Sequence, residues 1–203
     1  VTPVTSSLAT LHDGDIATAI ATAQRGGVPV LVDDAYGARL RPVLLGGRAA
    51  FHHGADLVVT NADKAGLHGP RAGIMAGVPA LVARIAARAA ELGLEARAPV
   101  ALGVLRGLLA WSPDDLRREA ADGAALADAL SARLGTAVVR RTTLGPLVGA
   151  EDVLALALAR AGLVGTALVP AEATAVIGMR LLESHGVLTT NALGRPGAHP
   201  ALR

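Results

Sequence analysis

The stretch that most narrows the fold is Val28–Val32, an unbroken apolar run between Gly26-Gly27 and Asp33-Asp34. A run this short, with no polar alternation, reads as a strand covered on both faces, and such strands lie in sheets packed between helices. Asp56–Thr60 reads as another buried strand, and Ala72–Ala76 as a third after a loop containing glycine and proline. Around them lie helical segments: Ile16–Gln24, opened by Asp13-Gly14-Asp15 and closed by Gly26-Gly27, and a short one at Arg48–His53. Val1–Ser6 is strand-like. Strands alternating with helices predict an α/β domain with a mainly parallel sheet.

From about Val78 the pattern changes. Helices are expected over Val78–Leu92, over Pro99–Trp111, and from Ser112-Pro113-Asp114-Asp115 to about Leu134. Short strands at Ala137–Arg141 and Pro146–Gly149 follow, then helix Ala150–Ala161, a strand at Thr166–Val169, helix Glu172–Ser184 and a last strand at Val187–Thr190. This half reads as an α+β unit, so two domains are expected, 1–92 and 93–203. Trp111 and Met179 read as core residues.

Composition removes several classes. With 52% hydrophobic and 18% charged residues, the 203-residue chain is not disordered. Without cysteine there is no disulfide scaffold, thiolate nucleophile or cysteine-ligated metal. The net charge is only +2, the basic residues are dispersed, and one Phe, one Tyr and one Trp give no stacking platform for nucleic acid. The most membrane-like stretch, Val153–Pro170, is broken by Arg160, Gly162 and Gly165, which favours a buried helix followed by a strand. No basic segment followed by an apolar one opens the chain, so a cytoplasmic globular protein is expected.

One count directs attention to chemistry. Lys64 is the only lysine; every other one of the 19 basic residues is Arg. Arginine stays protonated and cannot condense with a carbonyl, whereas lysine can. Lys64 follows the second strand, in Thr60-Asn61-Ala62-Asp63-Lys64, and Asp33-Asp34-Ala35-Tyr36 follows the first. The 31 positions from Asp33 to Lys64 allow one strand–helix–strand passage. Both clusters then open on one crevice beyond the carboxyl ends of the strands. An imine-competent amine beside a carboxylate suits pyridoxal 5′-phosphate (PLP): the aldehyde needs the amine, and the pyridine nitrogen needs an acid partner to stay protonated. Ala35 leaves room under a ring face, and Tyr36 is placed to donate to the ring's phenolic oxygen.

These residues carry a resemblance. Val32-Asp33-Asp34-Ala35-Tyr36-Gly37-Ala38-Arg39, Gly54-Ala55-Asp56-Leu57-Val58-Val59-Thr60-Asn61-Ala62-Asp63-Lys64 and Gly69-Pro70-Arg71-Ala72-Gly73 resemble the fold-type-I PLP enzymes. Within them the chain is most similar to the selenocysteine synthase (L-seryl-tRNA(Sec) selenium transferase) group and its archaeal relatives. Gly93–Pro99 and Gly194–Ala198 resemble the archaeal branch in particular. The resemblance implies the aspartate aminotransferase-like fold, here the later part of the large parallel-sheet domain with the α+β small domain. It implies Lys64 as the Schiff-base lysine, Asp33 as the pyridinium partner and Ala35 against the ring. Asn61, where the family usually has Ser, is implied as a phosphate contact, Arg71 as a substrate or phosphate contact, and Arg203 as a partner for a substrate carboxylate. It further implies an amino-acid-type substrate, free or as an aminoacyl-tRNA, with elimination or replacement at the β-carbon, and a homodimer or larger homo-oligomer. Enzymes of this fold are about twice as long, so the chain is expected to be a fragment. The alternative is a non-catalytic subunit of the same fold with a remnant site.

The remaining polar residues have simpler readings. Asp34 and Asp63 either tune the site or cap turns. Adjacent His52 and His53 diverge on a helix and make a poor metal chelate, and His68 reads either as a proton-transfer group or, more commonly, as a solvated loop residue. Arg39 and Arg41 read equally as phosphate-facing or as solvated loop arginines.

Overall fold

The computed structural model describes residues 1–5, 8–190 and 199–203. They form two units, Val1–Val4 with Thr10–Glu119 and Thr5–Ala9 with Ala120–Arg203.

In the first unit, helix α1 (Asp13–Arg25) carries Asp13 and Asp15 in its first turn and Arg25 in its last, each charge opposing the helix dipole. Ile16 and Ile20, one turn apart, are fully buried against Val30, Val32, Ala50, Ala55 and Val58. Each such side chain contributes about 1.5–3 kcal/mol on burial. Val32 is the centre of strand β1 (Leu31–Asp33). Helix α2 (Gly37–Leu44) and a 3₁₀ turn at Ala50–His53 lead to β2 (Leu57–Asn61). Strands β1 and β2 are parallel, with Val32 opposite Val58 and Asp33 opposite Val59. Because successive side chains alternate faces, Val32 and Val58 face α1 while Leu31 and Asp33 point to the other side.

Two expectations change here. The apolar run becomes a strand only from Leu31, and β1 is covered on one face: Val28 is 57% and Leu31 43% exposed. Strand β3 (Gly73–Gly77) joins β2 antiparallel, not parallel. The connection 62–72 is too short to hold a crossover helix, so the chain must return on itself.

Helices α3 (Pro79–Glu91), α4 (Ala98–Ala110) and α5 (Pro113–Leu134) each have proline in the first turn, where its missing N–H costs nothing. Ser112 Oγ accepts the Asp114 N–H at 3.2 Å and caps α5. The boundary between the units falls inside α5, so α4 belongs to the first unit. No residue of α3 is buried, and Leu102 and Leu109 of α4 are 66% and 80% exposed.

In the second unit, β4 (Val139–Thr142), β5 (Gly145–Gly149) and β6 (Ala201–Leu202) form an antiparallel sheet with β5 central. Helices α6 (Ala150–Ala161) and α7 (Pro170–His185) accompany it. Its core gathers Val139, Val148 and Val153 with Leu130, Leu134, Ile177 and Leu202. The strands expected at 166–169 and 187–190 do not form. Val169 instead leads into α7, its N–H bound by Glu172 Oε2 at 3.2 Å. The Thr190 N–H donates to the Arg203 carbonyl at 2.9 Å, and the third strand comes from Ala201–Leu202. Met179, expected in the core, is 56% exposed, and Trp111 is half-buried. Residues 194–198 lie outside the described residues. Among the described residues no helix is long and apolar enough to cross a membrane.

Candidate active site

The parallel pairing of β1 and β2 sets Asp33 and the segment leading to Lys64 at neighbouring strand ends. Tyr36, at the start of α2, completes the approach: Lys64 Nζ stands 5.1 Å from the centroid of its ring. That contact joins the loop after β1 to the loop after β2, and an ammonium over a ring face is electrostatically attracted. Among the described residues no carboxylate lies within ion-pair distance of Lys64. The Asp33 backbone N–H donates to the Val1 carbonyl at 2.8 Å, and its exposed carboxylate has no hydrogen-bond partner among the described residues.

Arg39 proves to be neither phosphate-facing nor solvated. It lies in α2, is 9% exposed, and turns its guanidinium onto the lysine loop. Nη2 donates to the carbonyls of Asn61 at 2.7 Å and Lys64 at 2.8 Å, Nε to that of Ala65 at 3.2 Å, and Nη1 to Thr60 Oγ1 at 3.3 Å. Burial pulls the Arg39 pKa below its ordinary value, while Asp34 and Asp63 oppose that shift. The helical pattern around Arg39 is only eight residues long and is interrupted by Pro42, so its period does not mark the residue as inward-facing.

Arg41 is likewise buried rather than solvated. It pairs with Asp34 at 3.1 Å and with Asp13 of α1 at 3.1 Å. Burial pushes the Asp34 carboxyl above its ordinary value against the pull of Arg41. Asp13 moves the other way, chiefly because its carboxylate accepts the Arg48 N–H, at 2.8 Å. Asp34 therefore anchors α2 through Arg41, beside Asp33.

The other candidates are spread more widely. Asn61 ends β2 and contributes its carbonyl to Arg39. Ala35 is half-buried, its carbonyl 3.5 Å from Thr60 Oγ1. Arg71 is 82% exposed on its side chain, 3.9 Å from Asp63. His68 is exposed, 3.8 Å from Glu119. Arg203 belongs to the second unit, where its carbonyl accepts the Thr190 N–H.

The architecture defines a class. The chain has part of the fold of PLP-dependent aminotransferases and lyases. A PLP-dependent aminotransferase from Streptococcus suis superposes with a TM-score of 0.59 at 15% identity, over 96% of this chain and 48% of that one. A cystathione gamma lyase from Micromonospora echinospora superposes with a TM-score of 0.51 at 24% identity, over 68% of this chain and 34% of that one. No protein-family model matches the chain.

Sequence similarity is higher to proteins named UPF0425 pyridoxal phosphate-dependent protein. One from Methanothermobacter thermautotrophicus is 36% identical over 203 residues, all of this chain and 51% of the relative. One from Methanosphaera stadtmanae is 31% identical over 206 residues, all of this chain and 52% of the relative. One from Methanococcus maripaludis is 34% identical over 175 residues, 86% of this chain and 44% of the relative. The chain thus spans about half the length of the curated relatives it matches.

Proposed function

We propose that this chain supplies the cofactor lysine and the pyridinium partner of a PLP-dependent enzyme resembling the selenocysteine synthase group, acting at the β-carbon of an amino-acid-derived substrate. The observation that carries the reading is the sole lysine, free of any acidic partner among the described residues, beside Tyr36 and at the end of the strand next to Asp33. The residues fit the group: an amine paired with no carboxylate and a carboxylate paired with no donor among the described residues are what an aldehyde on a protonated heterocycle requires. The names of the similar archaeal proteins support the same cofactor.

PLP, when bound, supplies the aldehyde and a cationic ring that takes up the electron pair left at the substrate's Cα. The chain's own groups do the rest. Asp33 would hold the pyridinium proton, and Tyr36 would offer its hydroxyl to the ring's phenolic oxygen. The Lys64 amine takes the Cα proton and returns it, which suits loss or replacement of a β-substituent. Asn61 would meet the phosphate, and Arg71 phosphate or substrate. The substrate is an amino acid, free or carried on tRNA, and the working form is a homodimer or larger ring in the cytoplasm.

The test is borohydride reduction of the full-length protein after incubation with PLP, followed by peptide mapping. The expected product is a pyridoxyl group on Lys64, lost in Lys64→Arg, with turnover of a serine-derived substrate lost in parallel. Absence of the adduct in the unaltered protein overturns the reading.

A further inference from the structure

We propose that Arg39 is the positioning residue for Lys64, acting through the backbone on both sides of it; the proposal rests on the reading of Lys64 given above. A lysine side chain has four rotatable carbons, so its amine is placed no better than the loop that bears it. This loop holds an unusual shape. Ala65, directly after the lysine, sits at φ 52°, a left-handed conformation that a residue with a Cβ rarely adopts, and Gly66 follows at φ 74°. Two successive left-handed residues turn the chain sharply away from Lys64, and such a shape persists only where its surroundings enforce it.

Arg39 is what enforces it. Its planar fork takes the carbonyl of Asn61 before the turn and those of Lys64 and Ala65 within it, with Thr60 Oγ1 behind. These acceptors diverge, and a guanidinium can serve them together because its five N–H groups point outward in one plane. A lysine at the same position has a single nitrogen and cannot span them. The clamp is also tied to the other side of the site. Arg39 stands in the helix that Tyr36 begins, so one short element carries both the ring next to Nζ and the guanidinium that holds the lysine's backbone.

The role is to align the amine, not to supply its reactivity. PLP is a large aldehyde that must meet the amine in one orientation, whereas formaldehyde needs only an accessible amine. The experiment therefore compares two reductive labels on Lys64 in the full-length protein, PLP with borohydride and formaldehyde with cyanoborohydride, each read by peptide mapping. In Arg39→Lys, with cooperative melting retained, PLP labelling is expected to fall about tenfold while formaldehyde labelling stays within about twofold of the unaltered protein. Equal PLP labelling in the two proteins overturns the proposal, as does a parallel fall in both labels. If Arg39→Lys does not melt cooperatively, Thr60→Val decides: it removes one acceptor of the clamp and leaves Lys64 in place. A several-fold selective fall in PLP labelling supports the clamp, and no change overturns it. Failure of the unaltered protein to take PLP at Lys64 rejects the proposed function instead, since formaldehyde labelling still reports the amine.

Discussion

Lys64 and Tyr36 meet across two loops, the ammonium nitrogen 5.1 Å from the ring centroid. Substitution separates the ring face from the hydroxyl. Tyr36→Phe keeps the face and its contact with Lys64 and removes the hydroxyl, so PLP retention is expected to drop several-fold in dialysis. Tyr36→Leu removes both, and a further loss of about 0.5–1 kcal/mol is expected in urea unfolding relative to the Phe variant. Equal stabilities of the Phe and Leu variants would show that the ring face adds nothing.

The two carboxylates on Arg41 give opposite pH dependences. Asp34 is raised above its ordinary value near 3.8, so the folded state holds that proton more tightly than the unfolded chain does. Its contribution is fully present below the unfolded value and is lost as pH rises through the folded one. Asp13 is lowered, so its contribution is present above the unfolded value and is lost as pH falls through the folded one. Urea midpoints followed from about pH 3 to about pH 7 are expected to lose their falling component in Asp34→Asn and their rising component in Asp13→Asn. Superimposable pH profiles for Asp34→Asn and the unaltered protein would refute the assignment.

Arg41 itself carries more than either partner. Its side chain is 2% exposed against an Asp34 side chain that is fully buried, so removing the guanidinium strands a charge without water. Arg41→Met is expected to cost about 3–5 kcal/mol, the scale for breaking a buried pair from one side. Asp34→Asn is expected to cost less, because Asp13 still balances Arg41 and an amide oxygen still accepts its N–H. The measurement is the unfolding free energy of the two variants at neutral pH, and a larger loss in Asp34→Asn would reverse the argument.

What could be read from the sequence divides along physical lines. Helices α1 and α3 to α7 were marked by proline or acidic residues at their starts and by long periods, and Lys64 and Asp33 by residue type at strand ends. The direction of β3 was missed because connection length, not strand composition, decides it. The strand expected at 187–190 does not form, because β-branched residues alone do not make one: β5 pairs instead with Ala201–Leu202. Arg39 and Arg41 were misread for a deeper reason. Charge suggests solvent, and only the carbonyls and carboxylates that converge on them in three dimensions make burial tolerable.

Glycines in the lysine loop separate backbone crowding from helix preference. A Cβ on Gly69 would stand 2.7 Å from the Ala62 carbonyl oxygen, which already accepts the Gly69 N–H at 2.7 Å. Neither group can retreat without opening the turn that follows Lys64. Gly107 of α4 meets the same loop less tightly, its added Cβ 3.3 Å from Gly69 Cα and N. There the strain of a small shift opposes a gain of about 1 kcal/mol from replacing glycine by alanine inside a helix. Gly107→Ala is therefore expected to be nearly neutral in urea unfolding, while Gly69→Ala loses about 1–3 kcal/mol, the usual scale of overpacking. Gly69→Ala should also lower PLP labelling of Lys64 and Gly107→Ala should not. The reverse order of stabilities would mean that the helix, rather than the turn, limits how closely the two can pack.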